Sequence, residues 1–283
     1  MSGKFSTLKN IIWAVGIFVC LLAVAVGFII ASVNRYSGES FSTEVDLNGA
    51  SAGENSGAVQ LTDGASSGTS EVGPLMYLEE TADAGMQYID KLTFLCDSSV
   101  IGIRDYGVLT GGKETYQVWG TEVGSLKVSD LMNGTIIYPA DGSEISIADA
   151  ALIAKPPVLV ICVGQDGLSS VDESTFKASY SSMLSRIKSA SPDTILICSS
   201  ISSISENYTG SDGLTSEMIL AANEWIKDLC QENGCYYVDA GHACDTGYGY
   251  VHVSYLSTNG KTLNSNGVLE YVNYLRTHAL DLN

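Results

Sequence analysis

Residues 155–200 read KPPVLVICVGQDGLSSVDESTFKASYSSMLSRIKSASPDTILICSS. The stretch opens on an apolar run, PPVLVICVG (156–164), with its prolines at the start, where a strand tolerates a missing N–H. It closes on a second apolar run, DTILICSS (193–200). Between them, residues 173–190 have helical spacing that puts Phe176, Tyr180, Met183, Leu184 and Ile187 on one face. Two strands joined by such a helix lie parallel and cross over right-handedly. Strands without polar alternation are covered on both faces.

The same alternation extends in both directions. KLTFLC (91–96) and TYQVWG (115–120) read as strands one and two, and EISIADALIAK (145–155) has helical spacing. Beyond strand four, residues 214–232 are helical, with Met218, Ala221, Ala222, Trp225 and Leu229 expected inward. GCYYVDA (234–240) reads as strand five, and a last helix covers about 265–280. The expected fold is α/β: a flavodoxin-like, doubly wound sheet of five parallel strands in a domain spanning 86–283. Ligand sites in this architecture lie beyond the carboxyl ends of the strands.

The first third of the chain is different. Residues 11–33, IIWAVGIFVCLLAVAVGFIIASV, carry no charge and are long enough to cross a bilayer. The run is too long for the core of a cleaved signal peptide. Lys4 and Lys9 precede it, and Glu39, Glu44 and Asp46 soon follow Arg35. The positive-inside rule puts a tail, 1–10, in the cytoplasm and everything after a transmembrane helix, 11–33, outside the cell. Residues 34–85 are rich in Ser, Gly and Glu and too poor in large apolar side chains to fold, so they read as a flexible linker.

A formal charge of −18 argues against nucleic acid as a partner. Of the seven cysteines, Cys96, Cys162 and Cys198 lie in apolar strands as small hydrophobes. Cys230, Cys235 and Cys244 are the candidates for a disulfide, and no spacing matches a metal site.

Three segments stand at the strand ends or before the last helix. Cys96-Asp97-Ser98-Ser99 follows strand one, Gly164-Gln165-Asp166-Gly167 follows strand three, and Thr258-Asn259-Gly260-Lys261-Thr262-Leu263-Asn264 opens the last helix. In this order and spacing they resemble the blocks of the SGNH/GDSL hydrolases: Gly-Asp-Ser, Gly-x-Asn-Asp and Asp-x-x-His. The resemblance spans roughly 90–280. It implies that Ser98 holds the nucleophile position, Asp166 the position of the oxyanion-binding asparagine, Asn259 that of the aspartate and Thr262 that of the histidine. Gly124 in VWGTEVGSL corresponds loosely to the family's oxyanion glycine. The aspartate after strand one, here Asp97, usually hydrogen-bonds the loop; with Asp166 it offers too few ligands for a cation.

The replacements bear on proton handling. A serine hydroxyl is a weak nucleophile without a base. Threonine is not basic near neutral pH, and exchanging the aspartate of a serine triad for asparagine alone costs about 10⁴ in turnover. A carboxylate only accepts hydrogen bonds, so Asp166 opposes the charge an oxyanion site must stabilise. His242 and His252 precede the last block without an evident carboxylate partner, and His252 is the candidate alternative base. Tyr248, Tyr250 and Tyr255 cluster in the same loop. No cofactor is expected. The expected function is a membrane-anchored, catalytically impaired hydrolase-like domain that binds a cell-wall glycan, an acylated small molecule or an envelope protein. The alternative is an active serine ester hydrolase acting on acylated carbohydrate with a non-standard base.

Overall fold

The computed structural model of the chain describes residues 73–282. The expected cytoplasmic tail, the transmembrane helix and most of the linker lie outside the described residues. Among the described residues, no helix is long and apolar enough to cross a membrane.

The domain is α/β with one parallel sheet. Its elements are β1 (Met76–Tyr77), α1 (Met86–Ile89), β2 (Leu92–Cys96), α2 (Gly102–Asp105), β3 (Val118–Trp119), β4 (Thr135–Ile137), β5 (Glu144–Ser146), α3 (Ile147–Ala154), β6 (Val158–Cys162), α4 (Glu173–Ala190), β7 (Ile195–Ser199), α5 (Ser216–Asn233), β8 (Tyr236–Val238) and α6 (Ser265–Thr277). Six strands form the sheet in the order β1-β8-β7-β6-β2-β3, and β4 and β5 form a separate antiparallel pair. All five expected strands are present. The sixth, β1, pairs with β8 through Met76 and Tyr77, so the chain joins the sheet ten residues before the expected start of the domain at 86. The segment 145–155 also divides: β5 ends at Ser146, and only then does α3 begin.

Apolar strands at the centre explain the layering. β2 and β6 run in register from Leu92↔Val158 to Cys96↔Cys162. Along them, side chains alternate between two cores. Leu95, Leu159 and Ile161 pack with Phe176, Tyr180, Met183, Leu184 and Ile187 of α4. Phe94, Val158 and Val160 pack on the other face with Val268, Tyr271, Val272 and Leu275 of α6. Each large apolar side chain buried this way contributes about 1.5–3 kcal/mol.

The caps explain where helices begin and stop. Asp172 accepts the Thr175 N–H at 2.8 Å and starts α4. Ser146 accepts the Asp149 N–H at 3.0 Å and its hydroxyl donates to the Asp149 carboxylate, a reciprocal cap on α3. Gly234, at φ +58°, ends α5 in the left-handed conformation that glycine adopts without strain.

The inward face of α5 differs from expectation. Ile219, Ala222, Asn223, Ile226, Leu229 and Cys230 are buried, whereas Met218 is exposed. The stripe is rotated because a polar residue belongs to it. Asn223 Oδ1 accepts the Ile201 N–H at 2.7 Å, and its Nδ2 donates to the Ile201 carbonyl at 3.3 Å. This clamp holds the loop after β7 against α5. Asn223→Ala leaves both buried backbone groups of Ile201 unpaired and is expected to lower stability by about 1–3 kcal/mol, read from the midpoint of urea unfolding.

Candidate active site

The site is assembled at the carboxyl ends of β2 and β6. Asp97 is fully buried. One of its oxygens, Oδ2, accepts the N–H groups of Gly164 and Gln165, both at 2.9 Å, and of Asp166 at 3.4 Å. The other, Oδ1, accepts the Ser99 N–H at 3.0 Å and the Ser99 hydroxyl at 2.5 Å. Asp97 thus ties the loop after β2 to the loop after β6. Gly164 lies at φ +134°, and a Cβ there would meet Ile201 Cδ1 at 2.8 Å, so glycine is needed for this close approach.

That clasp sets Asp166 against Ser98. The Ser98 hydroxyl donates to Asp166 Oδ1 at 2.6 Å. Asp166 Oδ2 accepts the Ser98 N–H at 3.1 Å and the Leu126 N–H at 3.2 Å. Two backbone amides converge on one carboxylate oxygen, and the adjacent hydroxyl is bound to the other. Converging amides of this kind are the elements from which an oxyanion-binding site is made. Gly124 is not among them: its N–H donates to the Thr121 carbonyl at 3.1 Å. Gly124, at φ +75°, shapes the turn that delivers Leu126.

The last block stands beside the first. Leu263 N–H donates to the Ser99 carbonyl at 2.9 Å, and Gln165 Nε2 donates to the Lys261 carbonyl at 3.3 Å. Asn259 and Thr262 bond to each other. Asn259 Nδ2 donates to Thr262 Oγ1 at 2.9 Å, and Asn259 Oδ1 accepts the Lys261 and Thr262 N–H groups at 3.1 and 3.0 Å. An amide and a hydroxyl thus stand bonded at i and i+3 of this turn. Lys261 pairs with Asp212 at 2.7 Å.

No histidine fills the gap. His252 is exposed, and its Nδ1 lies 2.7 Å from the Ser254 hydroxyl, so the structure does not bring the candidate alternative base to Ser98. His242 does have a carboxylate partner, contrary to the sequence reading. Its Nδ1 lies 2.5 Å from Asp239 Oδ1, with the Asp-x-x-His spacing of residues 239–242 as the overlooked signal. The hydrogen bond to Asp239 raises the pKa of His242 against the burial that opposes it. This pair follows β8, which is separated from β2 by β7 and β6. At about 4.8 Å per strand spacing, β8 and β2 lie roughly 14 Å apart in the sheet. Among the described residues, Cys96, Cys162, Cys198, Cys230, Cys235 and Cys244 are buried free thiols. Among the described residues, no group of histidines, cysteines and carboxylates could hold a metal ion.

Burial, and then the neighbouring Asp166 carboxylate, push the pKa of Asp97 up to about 6. A carboxyl whose folded pKa lies above its unfolded value of about 3.9 binds more protons when folded. The contribution of Asp97 to stability therefore falls as pH rises from about 4 to about 6, by on the order of 2–3 kcal/mol. Asp166→Asn removes one of the two causes and is expected to make this decline shallower, measured by denaturant unfolding across that pH range.

Residues 134–256 match the family model of the GDSL-like Lipase/Acylhydrolase family. No curated protein matches the chain. Among solved structures, one from Streptococcus pneumonia, assigned provisionally as a platelet activating factor, is 15% identical with a TM-score of 0.50, covering 66% of this chain and 82% of that one. It shares the fold. A provisionally assigned GDSL-like lipase from Parabacteroides merdae is 14% identical with a TM-score of 0.47, covering 72% of this chain and 99% of its own. An acetylxylan esterase from Geobacillus stearothermophilus is 14% identical with a TM-score of 0.40, covering 67% and 94%. Ordered blocks on a parallel sheet and the family model matching residues 134–256 point the same way: this part of the chain is similar to the GDSL-like Lipase/Acylhydrolase family.

Proposed function

We propose that the chain is a membrane-anchored extracellular protein whose SGNH/GDSL domain has lost efficient ester hydrolysis and serves to bind cell-envelope glycan. The observation that carries the reading is the position of Asp166. Its carboxylate takes the Ser98 hydroxyl and the N–H groups of Ser98 and Leu126 together. An acyl-transfer transition state would need those amides for its own developing negative charge. A fixed carboxylate already holds them, and its charge repels the new one. The apolar run 11–33 and the basic residues before it support the anchor and its orientation.

A second reading, an active acyl-ester hydrolase with a non-standard base, draws on the same 2.6 Å bond. Asp166 is the proton acceptor bonded to Ser98 Oγ. A carboxylate is a far weaker base toward an alcohol than the imidazole that general-base catalysis usually employs. It also cannot vacate the amides while holding the hydroxyl.

Two measurements separate the readings. The purified full-length chain is expected to show no turnover of p-nitrophenyl acetate or acetylated xylan above buffer; turnover that vanishes in Ser98→Ala overturns the proposal. The triple variant Asp166→Asn, Asn259→Asp, Thr262→His is expected to gain Ser98-dependent turnover of at least about 10² over the parent, since a single oxyanion donor is worth about 10²–10³.

A further inference from the structure

A second concavity of about 530 Å³ lies outside the Ser98 site. Its size falls within the roughly 300–1,000 Å³ of small-ligand pockets. Glu206 and Asn207 line it from the loop after β7; Thr246, Tyr248, Tyr250 and His252 line it from a second segment, after β8. Tyr248 is 85% exposed, the most exposed of the large hydrophobic side chains among the described residues.

The second segment is held rigid. Asp245 Oδ1 accepts the N–H groups of Gly247 at 2.6 Å and Gly249 at 3.2 Å. Thr246 N–H donates to the Tyr250 carbonyl at 2.9 Å, closing a hairpin with Tyr248 at its tip. Gly247 and Gly249 lie at φ +83° and +81°, conformations that other residues rarely take. Val251 N–H donates to the Ile204 carbonyl at 3.0 Å, and Ser205 N–H to that of Gly260 at 2.8 Å, which fix both segments to the domain. An aromatic ring in water on a preorganised tip loses little freedom when a ligand covers it.

The lining defines the ligand chemically. It contains no lysine or arginine and one carboxylate, which excludes an anion. The side chains of Glu206 and Asn207 make no hydrogen bond within the described residues, so acceptors and donors stand ready. Ser254 N–H donates to His252 Nδ1 at 3.3 Å, which leaves the ring proton on Nε2 as a further donor. A tyrosine face beside several neutral donors and acceptors suits a ring that is apolar on its faces and hydroxylated at its edge. We infer that this cleft binds a neutral sugar, with a pyranose stacked on Tyr248 and its hydroxyls bonded by Glu206, Asn207 and His252. The inference deepens the glycan-binding reading by assigning it to a cleft apart from Ser98.

The full-length chain is titrated, by calorimetry and saturation-transfer NMR, with N-acetylchitotriose, xylotriose and mannotriose, and with choline as the cationic rival for an aromatic and acidic cleft. At least one trisaccharide is expected to bind at millimolar concentration. Tyr248→Ala should weaken that binding at least about tenfold, Glu206→Gln should weaken it, and Tyr248→Phe should retain it. Absence of binding by all three sugars, binding indifferent to Tyr248→Ala, or binding of choline alone overturns the inference. Ester turnover on the same samples reads the loss of catalysis separately, so either conclusion can fail without the other.

Discussion

The Asp97 carboxylate is the joint on which the strand-end architecture depends. Parallel strands present their carboxyl ends as loose loops, and something must hold adjacent loops at a fixed distance. Here one buried anion collects N–H groups from Gly164, Gln165 and Asp166 after β6 and from Ser99 after β2. A charge this deep is tolerated only because it is so fully hydrogen-bonded. Its neighbours are then fixed in consequence: Gly164 must approach Ile201 without a side chain, and Asp166 must face Ser98.

The same joint brings two carboxylates close together. Asp166 is itself largely buried and adds to the cost of ionising Asp97. Its compensation is the set of donors it collects from Ser98 and Leu126. An asparagine at this position would offer its N–H₂ outward and leave the backbone amides for a substrate oxygen. The aspartate reverses the polarity of the pocket with hardly any change of shape. The pairing of Asn259 with Thr262 is similar in kind: an amide and a hydroxyl close the turn, and neither is basic near neutral pH.

Much of this was legible from the chain. The helix at 173–190 matches end to end because its capping aspartate, apolar stripe and following proline all point the same way. The central strands were legible because burial on both faces leaves an unbroken apolar run. The blocks at 97–98, 164–166 and 259–262 were legible as side chains, and the structure gathers them as their order implies. What the sequence concealed were features carried by backbone or by too few residues. Met76–Tyr77 is too short for any periodicity. The amide that faces Asp166 belongs to Leu126, and nothing about a leucine announces a useful N–H, whereas Gly124 attracted notice for its residue type. Asn223 is polar and so was not among the residues expected inward, and the buried face of α5 is rotated from the expected one. His242 looked isolated because its partner Asp239 reads as the end of a strand.

The rims of the sheet have a consequence for self-association. The six-stranded sheet begins with β1 and finishes with β3, and each of those strands is two residues long. Exposed rims with long free rows of N–H and C=O groups invite another chain to dock by backbone pairing, which is one route to aggregation. Truncated rims offer too short a template for that, and β3 is further shielded where Gly120 bridges Ile137 of the antiparallel pair. Crowded beside its own copies, this domain therefore presents other chains with side-chain surface and little open ladder, so molecules can be packed densely without zipping together.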